Sequence, residues 1–518
     1  MARPISNPCF VGPLASAITA TWSINSTAER IIRLSSVPMS TPIMAELDNI
    51  ESTRRFADQA LARAAGAPLI EGNQVQLLKD ARQNYPAWLD AIGAAKIHIH
   101  FESYIIHEDD AGREFADALI AKAQEGVRVR LLYDWLGGFG QASRRFWNHL
   151  REGGVEVRCY NPPRFDSPLS WLSRDHRKMI AVDGQVGFIS GLCVGRMWVG
   201  EPKKKIEPWR DTGIEVRGPA VAVIEGAFAQ VWSMTGEPIP EEELPSELPQ
   251  VPAGGTSLRV VATLPAAAAL LRLDQLVAAL AQERLWLTDA YFAGTTAFVQ
   301  SLRAAAMDNV DVRLLVPNGT DIPILKPLSR SGYKPLLEAG VRIFEWNGTM
   351  LHAKTAVADG RWARVGSTNL NIASWLGNCE LDAVIEDEGF ANEMAEMYLD
   401  DLENSTEIVL DARHKIQAPG EPRHLHPASV SGGGSAGRAA AGAIRIRNTI
   451  GAAFINRRVF EPAEAQIAIF SGLLLLAIAI LSGFFPRVLA YPLAALLVWF
   501  AAALLLRGYR LKRQGRRE

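Results

Sequence analysis

The stretch RDHRKMIAVDG runs from Arg174 to Gly184, and LHAKTAVADG runs from Leu351 to Gly360. Each sets a His, a Lys and an Asp at one spacing into a run of apolar residues: His176, Lys178 and Asp183 in the first, His352, Lys354 and Asp359 in the second. A buried strand does not ordinarily carry three ionisable groups. On an extended strand residues two apart share a face, so each His and its Lys converge on one side. The Asp stands five beyond the Lys, just before a Gly, where it can cap a turn or hold neighbouring backbone; all six residues, Asp183 and Asp359 included, are the candidate catalytic set.

The surroundings of the two stretches repeat as well. AKIHIHFESYII (95–106) parallels ERLWLTDAYF (283–292), each an apolar run closing on an acid and a Tyr, Glu102 with Tyr104 and Asp289 with Tyr291. FADALIAKAQEGVRVRLLYD (115–134) parallels FVQSLRAAAMDNVDVRLLVPN (298–318), and HLREGGVEVRCY (149–160) parallels LLEAGVRIFEW (336–346). Both pairs read as a helical period followed by a strand. Strands alternating with helices predict an α/β fold, here two similar halves over roughly 68–245 and 255–410 that form one active site. The Pro- and Glu-rich stretch 236–255 reads as an exposed linker or excursion, with 246–254 joining the halves.

An imidazole beside an ammonium, twice over, suits a phosphodiester, which is anionic, needs a nucleophile, and needs a proton for the oxygen that leaves. One neutral imidazole attacks phosphorus and the other, protonated, serves the leaving alcohol. Lys178 and Lys354 neutralise the non-bridging oxygens. The scheme calls for no metal and no cofactor. Carboxylates should orient the rings, and nearness in sequence points to Glu380 for His352 and to Asp211 for His176. Ser367 and Asn369 after the second motif, and Ser190 after the first, are candidate donors to phosphate oxygens.

The ends of the chain differ from its body. Residues 1–45, with no acid before Glu29, read as a disordered or spurious extension, with a mature start expected near Met44. After a Gly/Ser/Pro-rich tract at 411–443, which carries His424 and His426, the segment 444–518 holds 11 Lys or Arg against 3 acids, a net +8 against −10 for the rest. Inside it Gln466–Phe485 and Val488–Leu506 are 20 and 19 uncharged residues flanked by arginines. Such spans predict a transmembrane helical hairpin with both flanks, and the catalytic body, on the cytoplasmic side. Cys9, Cys159, Cys193 and Cys379 are widely spaced and read as reduced structural thiols. Lys203–Lys205 with Trp171, Trp198 and Trp209 could rim the first motif or be ordinary solvated and packed residues.

At these motifs the sequence resembles the phospholipase D superfamily, marked by two HKD motifs, and within it the bacterial cardiolipin synthases. The likeness spans about Leu69 to Asp411, including HRKMIAVDG, WRDTGIEVRGPAV, LHAKTAVADG and GSTNLNIASWLGNCEL. It implies phosphohistidine chemistry, with His176 the nucleophile and His352 the acid, and transfer of a phosphatidyl group between a phospholipid such as phosphatidylglycerol and an alcohol. The implied setting is the bacterial inner membrane. Two departures stand out: Cys193 lies where those synthases carry an Asn, and NLNIAS replaces their Asp- and Arg-containing stretch. A hydrolytic phospholipase D, a phosphodiesterase or nuclease, and a non-enzymatic scaffold are the alternatives. The acidic body and the membrane anchor argue against a nucleic-acid partner.

Overall fold

The computed structural model describes residues 57–163, 173–244, 251–321, 329–330, 332–410 and 416–417, with isolated helical positions between 476 and 505. The expected start near Met44, Cys9, Trp171, the tract with His424 and His426, and the apolar spans apart from those positions lie outside the described residues. No helix among the described residues is long and apolar enough to cross a membrane.

The first half comprises β1 (Ile70–Lys79), α1 (Asp80–Ala94), β2 (His98–Ser103), α2 (Asp110–Gln124), β3 (Arg128–Asp134), α3 (Arg144–Glu152), β4 (Glu156–Tyr160), the short β5 (Arg174–Asp175), β6 (Lys178–Val182), β7 (Val186–Ser190), α4 (Arg196–Val199), β8 (Thr212–Arg217) and α5 (Ala220–Met234). The second comprises β9 (Thr256–Thr263), α6 (Ala269–Leu280), β10 (Arg284–Thr288), α7 (Thr296–Met307), β11 (Asp311–Pro317), α8 (Tyr333–Glu338), β12 (Arg342–Trp346), β13 (Thr355–Ala358), β14 (Trp362–Gly366), α9 (Ile372–Gly377), β15 (Asn378–Glu386), α10 (Glu388–Glu403) and β16 (Ser405–Leu410).

Strand pairing shows the duplication directly. The first sheet runs β1-β8-β7-β6-β2-β3-β4, antiparallel except for the parallel β2-β3 and β3-β4 pairs. The second runs β9-β15-β14-β13-β10-β11-β12, with the same two parallel pairs at the same places, and adds β16 at its edge. An irregular antiparallel contact of β1 with β9 joins the sheets. The ladder also corrects one detail of the repeat. Glu102 lies opposite Met179, whereas the equivalent place opposite Thr355 is Thr288, so Asp289 sits one residue out of step with Glu102.

Each sheet covers its outer face with its own helices. Phe115 and Leu119 of α2 with Trp147 of α3 pack over the first sheet, and Leu273 of α6 with Leu302 of α7 over the second. The inner faces share one core, filled by Ile224 and Phe228 of α5 and by Met394 and Tyr398 of α10. Strands buried on both faces read as continuous apolar runs, which is why KMIAV shows no alternation. The Pro- and Glu-rich stretch just before the linker is tied to the first half: Ile239 is buried, and Glu243 pairs with Arg130 at 2.6 Å and with Arg128 at 3.1 Å.

Candidate active site

The two motifs end in the same local structure. In β6-β7 and β13-β14 the hairpin turns are Asp183-Gly184 and Asp359-Gly360, all four with positive φ: 55° and 66°, then 48° and 64°. Gln185 N donates to Val182 O, and Arg361 N to Ala358 O, closing each turn. Asp-Gly is a preferred pair for a two-residue turn that needs φ above zero at both positions. The Asp carboxylates then brace the chain entering the neighbouring strand. Asp183 accepts from the backbone N–H groups of Lys96, Ile97 and His98, and Asp359 from those of Gln282, Glu283 and Arg284, all at 2.7–2.9 Å. These two acids therefore hold the strand that flanks each motif and do not touch the imidazoles.

His176 and His352 sit two and three residues before β6 and β13, at the seam between the halves, and are 6 % and 5 % exposed. Their backbone partners come from across that seam. His176 N donates to Cys379 O at 2.9 Å, and His352 N to Arg210 O at 2.7 Å. The side chains follow the backbone. His176 Nδ1 lies 2.9 Å from Glu380 Oε2, and His352 Nδ1 lies 2.7 Å from Asp211 Oδ2. The pairing expected from nearness in sequence is thus reversed: Glu380 serves His176 and Asp211 serves His352. The reason is geometric, because Asn378-Cys379 at the start of β15 pair with β5, and Arg210 pairs with Leu351. Each carboxylate is carried on the strand edge that crosses to the other half's motif.

The ladder makes Asp211 and Glu380 equivalent, since Ser190 pairs with Gly213 in one half and Gly366 with Asp382 in the other. By the same register Gly191 corresponds to Ser367, and Cys193 to Asn369. Ser367 Oγ donates to Glu380 Oε2 at 2.6 Å, and Asn378 Nδ2 to Oε1 at 3.0 Å. In the first half a side chain at 191 has no room, because a Cβ there would lie 2.2 Å from Asp211 Oδ1. Asp211 instead accepts from Trp198 Nε1 at 3.1 Å and from Thr212 N at 2.9 Å.

The two carboxylates differ electrostatically. Burial pushes Asp211 up, but His352, Lys354 and the Thr212 N–H outweigh it and hold Asp211 below the usual carboxylate range. Burial raises Glu380, against the pull of Lys178 and Ser367. His352 is lowered to about 4, chiefly by burial and then by the charge of Lys354, with Asp211 opposing. Burial lowers Lys354 to about 8. Both lysines bend back on their own motif: Lys178 Nζ donates to His176 O at 2.5 Å, and Lys354 Nζ donates to His352 O.

Aromatic rings wall the imidazoles, and only part of this was anticipated. Tyr104 packs edge-on to His176 at 5.0 Å, with Lys178 Nζ 5.2 Å from its ring. Around His352 stand Trp209 at 5.6 Å, Trp198 at 5.7 Å and Tyr291 at 5.9 Å. The tyrosines had a visible signal, the strand-end Tyr in each repeat. That Trp198 and Trp209 belong to the second histidine had none. The phosphate donors expected from sequence are otherwise engaged: Ser190 Oγ lies 3.4 Å from Leu192 O, and Asn369 Nδ2 lies 3.4 Å from Ser374 Oγ. Asn369 Oδ1 is buried without a partner. Cys159, Cys193 and Cys379 are free thiols. Away from the seam, His98, His100 and Glu225 bring possible ligand atoms within 4.8 Å of one another. Glu225 there accepts from His98 Nε2 and Gly184 N, bracing the first hairpin.

Comparisons with known proteins then place this duplicated α/β body in a family. A family model described as "Cardiolipin synthase, PLD-like domain" matches residues 88–196 and 277–402. The cardiolipin synthase of Alkalihalophilus pseudofirmus is 33 % identical over 345 residues, 66 % of this chain and 68 % of that protein. Cardiolipin synthase A of Pseudomonas aeruginosa is 34 % identical over 368 residues, 69 % of this chain and 73 % of that protein. The chain belongs to the cardiolipin synthase family. The crystal structure of phosphatidylserine synthase from Haemophilus influenzae covers 67 % of this chain and 91 % of its own at TM-score 0.51 and 16 % identity, a likeness of fold. The chain is accordingly an enzyme of the phospholipase D type, a phosphatidyltransferase.

Proposed function

We propose that this protein is a membrane-anchored cardiolipin synthase that uses phosphatidylglycerol as both donor and acceptor. The observation that carries the reading is the pair of buried imidazoles, each bonded through Nδ1 to a carboxylate of the other half. With Nδ1 donating to the carboxylate, Nε2 is the nitrogen left for chemistry. His176 Nε2 attacks phosphorus as the bond to the leaving glycerol breaks, and that oxygen takes the proton of His352 Nε2. A second phosphatidylglycerol then returns its hydroxyl proton to His352 and attacks the phosphohistidine, releasing cardiolipin and neutral His176. Asp211, held ionised, suits the partner of an imidazolium, and Glu380, raised by burial and bonded by Ser367 and Asn378, suits a neutral imidazole. Lys178 and Lys354 sit where they offset charge on the phosphoryl oxygens. Anchoring rests on the two uncharged stretches between 466 and 506, and their arginine flanks support a body on the cytoplasmic side of a bacterial inner membrane.

The test is to incubate purified protein in mixed micelles with labelled phosphatidylglycerol, with and without added alcohols, and identify the products. Cardiolipin plus glycerol is expected. Phosphatidic acid alone would make the protein a hydrolase, and no lipid turnover would end both readings. The covalent phosphatidyl adduct should vanish in His176→Ala; an adduct lost only in His352→Ala would exchange the two roles.

A further inference from the structure

The two imidazoles are almost fully buried, yet a phospholipid reaches them still carrying its acyl chains. The mouth of the site has to meet the surface that holds those chains. Two segments that touch the histidines also lead outward to exposed apolar side chains. The chain leaves the His352 wall at Trp198, whose neighbour Val199 is 49 % exposed, and returns at Trp209, which meets Trp198 edge-on at 5.0 Å. Trp209 N donates to Met197 O, and Glu201 pairs with Ile206, so the excursion is a closed hairpin with the His352 ring at its base. At its tip Lys203, Lys204 and Lys205 are exposed. Lys204 is paired with Glu201 at 3.0 Å, and among the described residues Lys203 and Lys205 have no acidic partner. On the other side of the site, the turn after β3 packs against the Tyr104 carbonyl at Gly137 and ends at Phe139, 45 % exposed. Tyr104 is the ring edge-on to His176.

We propose that this rim is a bilayer-docking face, in which Phe139 and Val199 enter the headgroup region while Lys203 and Lys205 hold anionic lipid phosphates. The inference rests on the reading of the protein as an enzyme of phospholipids, and it adds where and how the body meets them. Apolar side chains bordered by unpaired cations at a catalytic mouth complement an anionic membrane in both chemistry and charge. The opposite edge of the sheets offers a control: Met307, 68 % exposed, ends α7 just before β11 begins, whereas the histidines lie toward the ends of the parallel strands.

The experiment uses the full chain with Cys9 and Cys159 replaced by Ser. An environment-sensitive fluorophore is placed at Val199→Cys, Phe139→Cys or Met307→Cys, and vesicles of phosphatidylglycerol or of phosphatidylcholine are added. The probes at 199 and 139 should shift to the blue on phosphatidylglycerol vesicles while the probe at 307 does not. In parallel, the Lys203→Glu/Lys205→Glu double variant should turn over phosphatidylglycerol in vesicles about tenfold or more slowly, since each basic residue near an anionic surface adds to binding. Its turnover of a short-chain, monomeric phosphatidylglycerol should be unchanged. Equal shifts at all three positions, no shift at 199 and 139, or an equal loss on monomeric substrate would overturn the docking face. Selective shifts in a protein that turns over no lipid would leave the face standing and end the enzymatic reading.

Discussion

His352 is lowered to about 4 by burial and by Lys354, while the proposed chemistry asks it for a proton. The two facts agree if the substrate's own charge completes the acid. A phosphodiester anion seated beside Lys178 and Lys354 offsets the cations that depress His352 and favours its protonated form. Binding at pH 7 should therefore take up protons, approaching one per site. The probe is glycerophosphoglycerol, a soluble diester that does not titrate near neutrality, studied calorimetrically in buffers of different ionisation enthalpy. A binding heat that does not change with buffer would count against this coupling. The same depression has a sign for stability. An imidazole that stays neutral in the fold and protonates freely when unfolded destabilises the protein as pH falls below about 6.5 toward 4. At Gly191 the prediction is steric. Gly191→Ala drives a methyl into Asp211 and should lower kcat by roughly a hundredfold, the scale expected for misplacing a catalytic group, with the thermal midpoint little changed.

The element that recurs is the Asp-Gly hairpin, and its acids act as braces. Each gathers three backbone N–H groups from the chain entering the strand beside its motif, at a left-handed position that Asn also tolerates. Asp183→Asn and Asp359→Asn keep the turn but lose the charge that strengthens those bonds. Each should cost about 1–3 kcal/mol, read as an earlier urea midpoint, with the remaining folded enzyme still active. An inactive but fully stable Asp183→Asn protein would instead put this carboxylate in the chemistry. Much of this element was legible in the sequence, because spacing, strand periodicity and turn chemistry are local. Asp before Gly at a strand end pointed to a turn cap or a backbone brace, and grouping it with the catalytic His and Lys is what the hydrogen bonds do not favour. The slip of Glu102 against Asp289 was not legible, since an acid near a Tyr looks alike in both repeats and only the hydrogen-bond ladder fixes register.

At the scale of the molecule the duplication does more than supply two histidines. Because Arg210 runs beside Leu351 and Cys379 beside Asp175, each half delivers its carboxylate to the imidazole of the other. Sequence separation hid this: Glu380 follows His352 by 28 residues and Asp211 follows His176 by 35, so nearness favoured the wrong partners. A two-fold-like exchange across a seam leaves no trace in spacing. It does leave one in spectroscopy. A buried imidazole that donates Nδ1–H to a carboxylate gives a low-field proton resonance, and His176→Gln and His352→Gln would assign the two. Glu380→Gln should then abolish or shift the His176 resonance and leave that of His352 in place, while Asp211→Asn should do the reverse. The opposite pattern would restore the pairing within each half. Since neither ring is oriented without the other half, the crossed outcome also means that the chemistry is a property of the assembled pair. Either half expressed alone should form no phosphatidyl adduct, even if it folds and retains its own motif.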